Sequence, residues 1–249
     1  MTQQLARMRA PFGRAHPFPY VLMYHSVSAY AEDPYLVTVD PARFERQLRW
    51  LRGRGLRGVS MRELVLAAAR GRDRGLVGLT FDDGYVDFAD NALPALLRHG
   101  CTATVFVIAG RLGGSNEWDP GGPRKQLMTA EDIRRVAAAG VEIGSHGLRH
   151  QCLPPLDGAA LDEEVDRSRE LLAAITGGEV GGFCYPYGEV SAPVVERVRT
   201  AGYDYGCAIW PSELSGRHAL PRTYIGDRDA SLRLLAKQLR HRVRFLRVR

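Results

Sequence analysis

At residues 78–84 the chain reads Gly78-Leu79-Thr80-Phe81-Asp82-Asp83-Gly84, an apolar run that ends in two adjacent carboxylates. Short apolar runs bounded by turn residues are typical of strands that are buried on both faces. Two ionised carboxylates in a half-buried cleft repel each other, so one of them needs a cation nearby. We therefore predict a buried strand over residues 77–81 with a cation-dependent site at its carboxyl end, although Asp-Asp-Gly is also a common turn and helix cap.

On both sides of this run, short apolar segments alternate with helical patterns, which indicates βα units around a parallel sheet. The other predicted strands are residues 20–27, 102–108, 141–145, 182–185, 205–209 and 220–225. The predicted helices are residues 41–54, 87–99, 130–139, 161–175, 191–201 and 229–241. We expect an α/β fold, an irregular (β/α)7-type barrel in a single domain. An open doubly wound sheet is the alternative, but no glycine-rich phosphate loop follows the first strand.

Two of these helices have recognisable first residues. Asp40 before Pro41 is typical of an N-cap followed by proline at the first helical position. Thr129 with Asp132 resembles a capping box in which the acid reaches back to the cap. Both helices are therefore expected to begin at these residues.

Composition and charge exclude several classes of protein. The chain has 45% hydrophobic residues and a formal net charge of +6, from 34 basic and 28 acidic residues, which is an ordinary balance for a globular protein. No nucleic-acid-binding motif accompanies this mild basic excess, so we expect no nucleic acid as a partner. No stretch approaches the roughly 18 consecutive apolar residues of a membrane span, so no stable membrane insertion is expected. Residues 1–19 lack the apolar core of a signal peptide, so a cytoplasmic location is expected.

The cysteines are far apart and expected to be reduced thiols: Cys101, Cys152, Cys184 and Cys207.

Polar residues follow two further predicted strands. His146 and His150 follow the fourth strand, and Pro186-Tyr187-Gly188 follows the fifth. Because the reactive groups of α/β proteins lie at the carboxyl ends of strands, we expect these residues and the aspartates to share one site. Two His nitrogens and one Asp oxygen suit Zn²⁺ or a related divalent ion and leave one position open for water, while the second Asp can act as a base. A pair of histidines four residues apart also arises by chance, and Gly147 argues against a regular helix here.

These motifs resemble those of the polysaccharide deacetylases of carbohydrate esterase family four, the NodB-homology group. Residues 80–84 are similar to the family's TFDDG motif, residues 145–150 to its metal-binding HxxxH motif, and residues 185–188 to its PYG segment. The resemblance runs from about residue 20 to residue 225. It implies a deacetylase domain over residues 20–240, between an N-terminal extension (1–19) and a basic tail (241–249). The implied activity is hydrolysis of the N-acetyl group of amino sugars in a polysaccharide or glycoconjugate.

The resemblance also implies roles for individual residues. Asp82 matches the general base of the family, and the backbone N–H of Tyr187, next to Pro186, matches the donor to the oxyanion. The implied ligands of a divalent metal ion, Zn²⁺, are Asp83, His146 and His150.

The proton donor is sought at the start of the domain, where Tyr24-His25-Ser26-Val27 looks like a subgroup with YHxV in its first strand. The first and last strands of a closed barrel are neighbours, so His25 can fill the place that a histidine near the C-terminus fills in many members. A buried or helix-capping histidine is the alternative interpretation. His218 and His241 are the later candidates.

Two positions depart from the family's pattern. Cys184 stands where the common form has the Arg that pairs with the base, and we hypothesise that Arg222 approaches Asp82 and replaces that charge. A surface arginine is the alternative. Gly147 stands where Ser or Thr is usual, so a hydrogen bond around the ligand histidine is expected to be missing.

The surroundings of the site are less specific. Trp210, Tyr187 and Trp118 are candidates for stacking on a sugar or ordinary rim aromatics, and residues 110–127 are expected to form a rim loop. Residues 240–249 alternate Arg with apolar residues and are expected to be a solvated terminus, with an anionic glycan or membrane surface as the alternative partner.

The rival functions are a metal-dependent esterase or amidase on an O-acetylated sugar or small molecule, and a non-catalytic glycan-binding protein. Because relatives that modify glycans often work outside the cell, an extracellular or cell-surface location also stays open.

Overall fold

The computed structural model of the protein describes residues 18–246, with side chains as far as residue 244. Within these residues the strands are β1 (Val21–Tyr24), β2 (Ser26–Val27), β3 (Thr38–Val39), β4 (Arg57–Val59), β5 (Leu76–Phe81), β6 (Thr104–Val107), β7 (Glu142–Ser145), β8 (Gly182–Cys184), β9 (Tyr205–Cys207) and β10 (Thr223–Tyr224). The α-helices are α1 (Pro41–Gly53), α2 (Met61–Ala69), α3 (Leu93–Arg98), α4 (Ala130–Ala138), α5 (Gly158–Asp162), α6 (Ser168–Thr176), α7 (Ala192–Thr200) and α8 (Ser231–Leu246). Phe88–Ala92 and Glu163–Arg167 are π-helical turns that continue into α3 and α6.

A single parallel sheet carries most of the strands, in the order β10-β1-β5-β6-β7-β8-β9 with β4 beside β5. The segment before β10 links the two ends of this sheet. The Ala208 N–H donates to the Leu220 carbonyl at 2.8 Å and the Arg222 N–H to the Ile209 carbonyl at 3.2 Å, while β10 itself pairs with β1. The sheet therefore curls into a half-barrel, which confirms the predicted single-domain α/β fold.

The predicted helix starts are confirmed. Asp40 caps α1, because its side chain accepts hydrogen bonds from the N–H groups of Ala42 and Arg43. Thr129 and Asp132 form the reciprocal bonds of a capping box at the start of α4. Each start depends on contacts within a few residues of the chain, which is why local sequence predicts it.

Other predictions of secondary structure were wrong in detail. The predicted strand over residues 20–27 is interrupted at His25, and β2 leaves the main sheet to pair with β3. Strand β4 and helix α2 were not predicted. Helix α8 continues to Leu246, so the predicted tail from residue 241 begins inside a helix. Residues 1–17 of the predicted extension and residues 247–249 of the tail lie outside the described part of the chain.

The interior of the curled sheet is filled with side chains, so the carboxyl ends of the strands carry the accessible chemistry. Phe106, Cys184 and Tyr205 lie in this interior and are fully buried. All four cysteines are free thiols, as predicted. Among the described helices, none combines the length and the apolar character that crossing a membrane requires.

Candidate active site

The carboxyl ends of neighbouring strands bring the predicted site residues together. Asp82 and Asp83 follow β5, and β5 pairs with β1, which ends just before His25. His146 follows β7, and β8 ends just before the turn that holds Pro186 and Tyr187. Parallel strands end at the same edge of a sheet, and this register therefore gathers residues that are far apart in the chain.

Asp83, His146 and His150 form a compact buried cluster whose ligand atoms all lie within 4.8 Å of one another. The Nε2 atoms of His146 and His150 lie 3.4 and 3.5 Å from Asp83 Oδ1. Asp83 and His150 have left-handed backbone, with φ of 72° and 63°. A non-glycine residue adopts this conformation at a cost in free energy, so the surrounding structure holds both side chains in place against strain.

The hydrogen bonds of the cluster show which atoms are open to a cation. His146 Nδ1 lies 2.8 Å from the Cys184 carbonyl oxygen, which only accepts, so Nδ1 donates and Nε2 is the atom that faces Asp83. Burial alone would lower the pKa of His146, but contacts with Cys184 and the two aspartates more than offset burial and raise this pKa well above its usual range. Burial lowers the pKa of His150 to about 4, and this ring is therefore neutral near pH 7. Both Nε2 atoms and a carboxylate oxygen therefore converge on one point and hold a cation among them, which is the proton of His146 when no metal ion is bound.

The spacing of these donor atoms also fits a metal ion. Ligand atoms about 2.1 Å from Zn²⁺ at tetrahedral angles are about 3.4 Å apart. Burial alone would raise the pKa of Asp83, but its contacts with the two imidazoles outweigh burial and keep the pKa well below its usual range. The donor set of one carboxylate and two imidazoles therefore suits Zn²⁺ or a similar divalent ion, which would displace the proton of His146 on binding.

Asp82 lies beside this cluster and is held by Arg222. The guanidinium donates to Asp82 Oδ1 at 2.6 Å and to Oδ2 at 2.8 Å, and both side chains are buried. Its remaining donors contact Thr80 Oγ1, the Ala208 carbonyl and Cys184 Sγ at 3.0 to 3.1 Å. Burial raises the pKa of Asp82, but the charge and hydrogen bonds of Arg222 more than offset it and lower the pKa on balance. A cation from the segment before β10 thus stands against Asp82, with the small Cys184 side chain beside it.

His25 is the third polar group on this side of the site. Its Nε2 lies 3.9 Å from Asp82 Oδ2, and 17% of its side chain is exposed. The two later candidates contact other parts of the molecule. His218 is hydrogen-bonded to the Tyr203 carbonyl, and His241 to that of Phe18.

Glu164 is a site residue that the sequence interpretation missed. It lies in the π-helical turn before α6 and is fully buried. Its Oε2 accepts from the backbone N–H groups of Leu148 at 2.7 Å and Arg149 at 3.0 Å, which lie between the two histidines. A Cβ on Gly147 would lie 3.0 Å from this oxygen, and Gly147 has a φ of +76°. Glycine therefore permits the close approach, and the carboxylate orients the loop that holds both imidazoles.

Aromatic side chains stand at the rim. The rings of Trp118 and Tyr187 pack against His150 at centroid distances of 4.6 and 4.7 Å. Tyr187 is half exposed and has a φ of 59°, while Pro186 before it is buried. Trp210 is 69% exposed and lies beside α8 rather than in contact with the cluster.

Comparisons with known proteins agree with this architecture. The profile of the polysaccharide deacetylase family matches residues 69–206. The chain is 28% identical over 210 residues to YxkH of Bacillus subtilis (strain 168), a candidate polysaccharide deacetylase, covering 82% of this chain and 70% of that one. It is 25% identical over 264 residues to the poly-β-1,6-N-acetyl-D-glucosamine N-deacetylase of Escherichia coli (strain K12), covering 90% of this chain but only 39% of that one.

Solved structures show the same fold. The deacetylase PplD of Streptococcus pyogenes, in complex with acetate, superposes with a TM-score of 0.76 at 22% identity, covering 89% of this chain and 99% of that one. IcaB from Ammonifex degensii superposes with a TM-score of 0.72 at 25% identity, covering 89% of this chain and 97% of that one.

Proposed function

Because the chain belongs to the polysaccharide deacetylase family, we propose that it hydrolyses the N-acetyl group of N-acetylated amino sugars in a polysaccharide or glycoconjugate and releases acetate. The observation that carries this proposal is the Asp83-His146-His150 cluster beside an aspartate paired with a buried arginine. Relatives named for N-acetylglucosamine polymers and chitooligosaccharides support the substrate class.

Asp83, His146 and His150 are the residues that would hold a divalent metal ion, Zn²⁺ in our proposal. When bound, such an ion polarises the acetyl carbonyl and lowers the pKa of an attacking water. Glu164 and the Cys184 carbonyl support the ligand loop from outside, by fixing its backbone and the tautomer of His146.

The other residues of the site divide the proton transfers between them. Asp82, kept ionised by Arg222, takes a proton from the attacking water. The backbone N–H of Tyr187 donates to the oxygen on which negative charge develops. His25 gives a proton to the departing nitrogen, so that the C–N bond breaks to acetate and a free amine. In this proposal His25 fills the role that the YHxV segment implies, and the buried Pro186 holds the turn that presents the Tyr187 N–H.

The test combines metal analysis with acetate release. In Asp82→Asn we expect the metal content to be retained and activity to fall by about 10²- to 10⁴-fold, because the base is lost. In Asp83→Asn we expect the metal itself to be lost. Asp90→Asn, at a side chain that is 56% exposed, is the matched control. Loss of metal from Asp82→Asn would mean that the two aspartates have exchanged roles.

The substrate panel decides between the proposed activity and its rival. N-acetylated and O-acetylated glycans are compared at equal acetyl concentration. Acetate release from the O-acetylated glycan alone would favour the esterase, and release from neither would contradict the substrate class.

A further inference from the structure

Helix α8 is the last helix that the structure describes, and it has two different faces. The inner face packs against the rest of the protein, where Leu234 and Gln238 are buried. On the same side Lys237 pairs with Asp229 and donates a hydrogen bond to the Tyr224 carbonyl. These contacts fix the rotation of the helix about its own axis. They therefore also fix which side chains face away from the core.

The outer face of α8 is apolar along a stripe, which we call the α8 stripe and define as Leu232, Ala236, Leu239 and Val243. Leu232 is 82% exposed, Leu239 49% and Val243 52%, and Ala236 is also exposed. Spacings of four, three and four residues place these side chains on one side of a helix. An apolar stripe that faces away from the core normally marks a contact surface.

Positive charge surrounds the stripe. Arg233, Arg240, Arg242 and Arg244 are all exposed, and the residues of α8 include no Asp or Glu. Among side chains as far as residue 244, no carboxylate forms an ion pair with any of these four arginines. Arg233 and Arg240 share a cavity with Asp227 and Asp229 without pairing with them. The helix itself thus presents positive charge on both sides of the apolar side chains.

We propose that α8 binds the surface of an anionic lipid bilayer, with the α8 stripe at the level of the acyl chains and the flanking arginines at the lipid phosphates. An interfacial helix of this kind combines an exposed apolar face with Lys or Arg beside it. A second copy of this chain would place like charges against each other, and a nucleic acid would leave the apolar side chains without a partner. The exposed Trp210 shares a cavity with Arg240 and Arg244, and tryptophan favours the same interfacial depth.

Vesicle flotation of the full chain tests this. Vesicles of phosphatidylcholine containing phosphatidylglycerol are compared with vesicles of phosphatidylcholine alone, at low and at high salt. We expect binding to the anionic vesicles only, and weaker binding at high salt because the Debye length shortens. The triple variant Leu232→Ser, Leu239→Ser, Val243→Ser should lose at least about tenfold in affinity for the anionic vesicles, because apolar burial is lost while every charge is kept.

The matched control is Leu97→Ser, which removes a leucine that is 57% exposed on α3. It should bind vesicles like the unaltered chain, and both variants should release acetate from a soluble substrate at the unaltered rate. Equal binding by the triple variant and the control would overturn the proposal. Failure of the unaltered chain to float with anionic vesicles would also overturn it.

Discussion

Arg222 is the residue on which the state of Asp82 depends. Its guanidinium is fully buried and forms two hydrogen bonds with that carboxylate, so Arg222→Met leaves an unpaired buried acid. Burial then dominates and raises the pKa of Asp82, and we expect the acid limb of the pH profile of kcat/KM to move to higher pH. Unfolding in urea should show a loss of about 3–5 kcal/mol in the free energy of unfolding.

Arg98→Gln is the control, because that guanidinium is 60% exposed and its ion pair is screened by water. Its free energy of unfolding should stay within about 0.5 kcal/mol of the unaltered chain. Arg222→Lys keeps a positive charge, and it replaces the methionine variant in the pH-profile measurement if the methionine variant does not fold. An unchanged acid limb in both Arg222 variants would contradict the role of this residue.

The same pair makes stability depend on pH. The pKa of Asp82 is lower in the folded chain, so its carboxylate stabilises the fold above its unfolded pKa, about 4, and this contribution is lost as pH falls through the folded pKa. In Arg222→Met the ionised Asp82 destabilises the fold instead, because an unpaired buried carboxyl group is easier to bury when protonated. As pH falls, the difference in stability between the two proteins should therefore begin to narrow above about pH 4, at the raised pKa of Asp82 in the variant, and narrow further below about pH 4, where the unaltered chain loses its own contribution.

Sequence predicted some of these residues better than others. Asp82 and Asp83 could be predicted because an abrupt change from apolar to acidic residues at a strand end is a local signal. Glu164 could not, because its partners lie 15 and 16 residues away and meet it only through the fold. The approach of Arg222 to Asp82 was a hypothesis drawn from the absence of the usual Arg at Cys184, not from a pattern around Arg222 itself.

At the level of elements, the π-helical turn Glu163–Arg167 buries the side chain of Glu164 and leaves that of its neighbour Glu163 exposed to solvent. Glu164 is fully buried against the ligand loop, while the side chain of Glu163 is 51% exposed and pairs with Arg149 at 2.7 Å. Glu164→Gln removes the charge: the amide oxygen can still accept from the Leu148 and Arg149 N–H groups but more weakly than a carboxylate, and the N–H₂ would then face the Arg149 guanidinium. We expect the affinity for Zn²⁺ to fall by about 10- to 100-fold, measured by competition with a chelating dye.

Glu163→Gln on the same turn is the matched control and should bind Zn²⁺ as the unaltered chain does. Equal affinities in the two variants would show that the ligand loop keeps its shape without the buried carboxylate. A loss of affinity in both would point to the total charge near the loop rather than to the two backbone hydrogen bonds.

Element prediction succeeded where a helix or strand carries its own signal. Helix α1 begins at its cap, and α2 has one too: Ser60 accepts from the Glu63 N–H, a spacing that is visible in the sequence and was overlooked. Strands β2 and β3 have two residues each, which is too short for any periodic pattern. Their pairing depends on the turn between them and on the tertiary fold, so local sequence does not specify it.

At the scale of the whole molecule, the metal site couples distant parts of the chain to one ion. Asp83 follows β5 and the two histidines follow β7, so the donors converge only in the folded protein. An ion that binds the folded but not the unfolded chain stabilises it, by about 2.7 kcal/mol at a free concentration of 100 Kd. We expect Zn²⁺ at that concentration to raise Tm by about 5–10 °C relative to protein in EDTA.

The shift in Tm should require the cluster as a whole. Asp83→Asn removes one donor, and its Tm should be the same with Zn²⁺ and with EDTA, whereas Asp90→Asn should keep the full shift. An equal shift in Asp83→Asn would mean that the ion stabilises the fold from somewhere else. Histidines also bind zinc in unfolded chains, which reduces the rise in Tm. A small rise in Tm that depends on Asp83 therefore still supports the site, and only a rise that does not depend on Asp83 contradicts it.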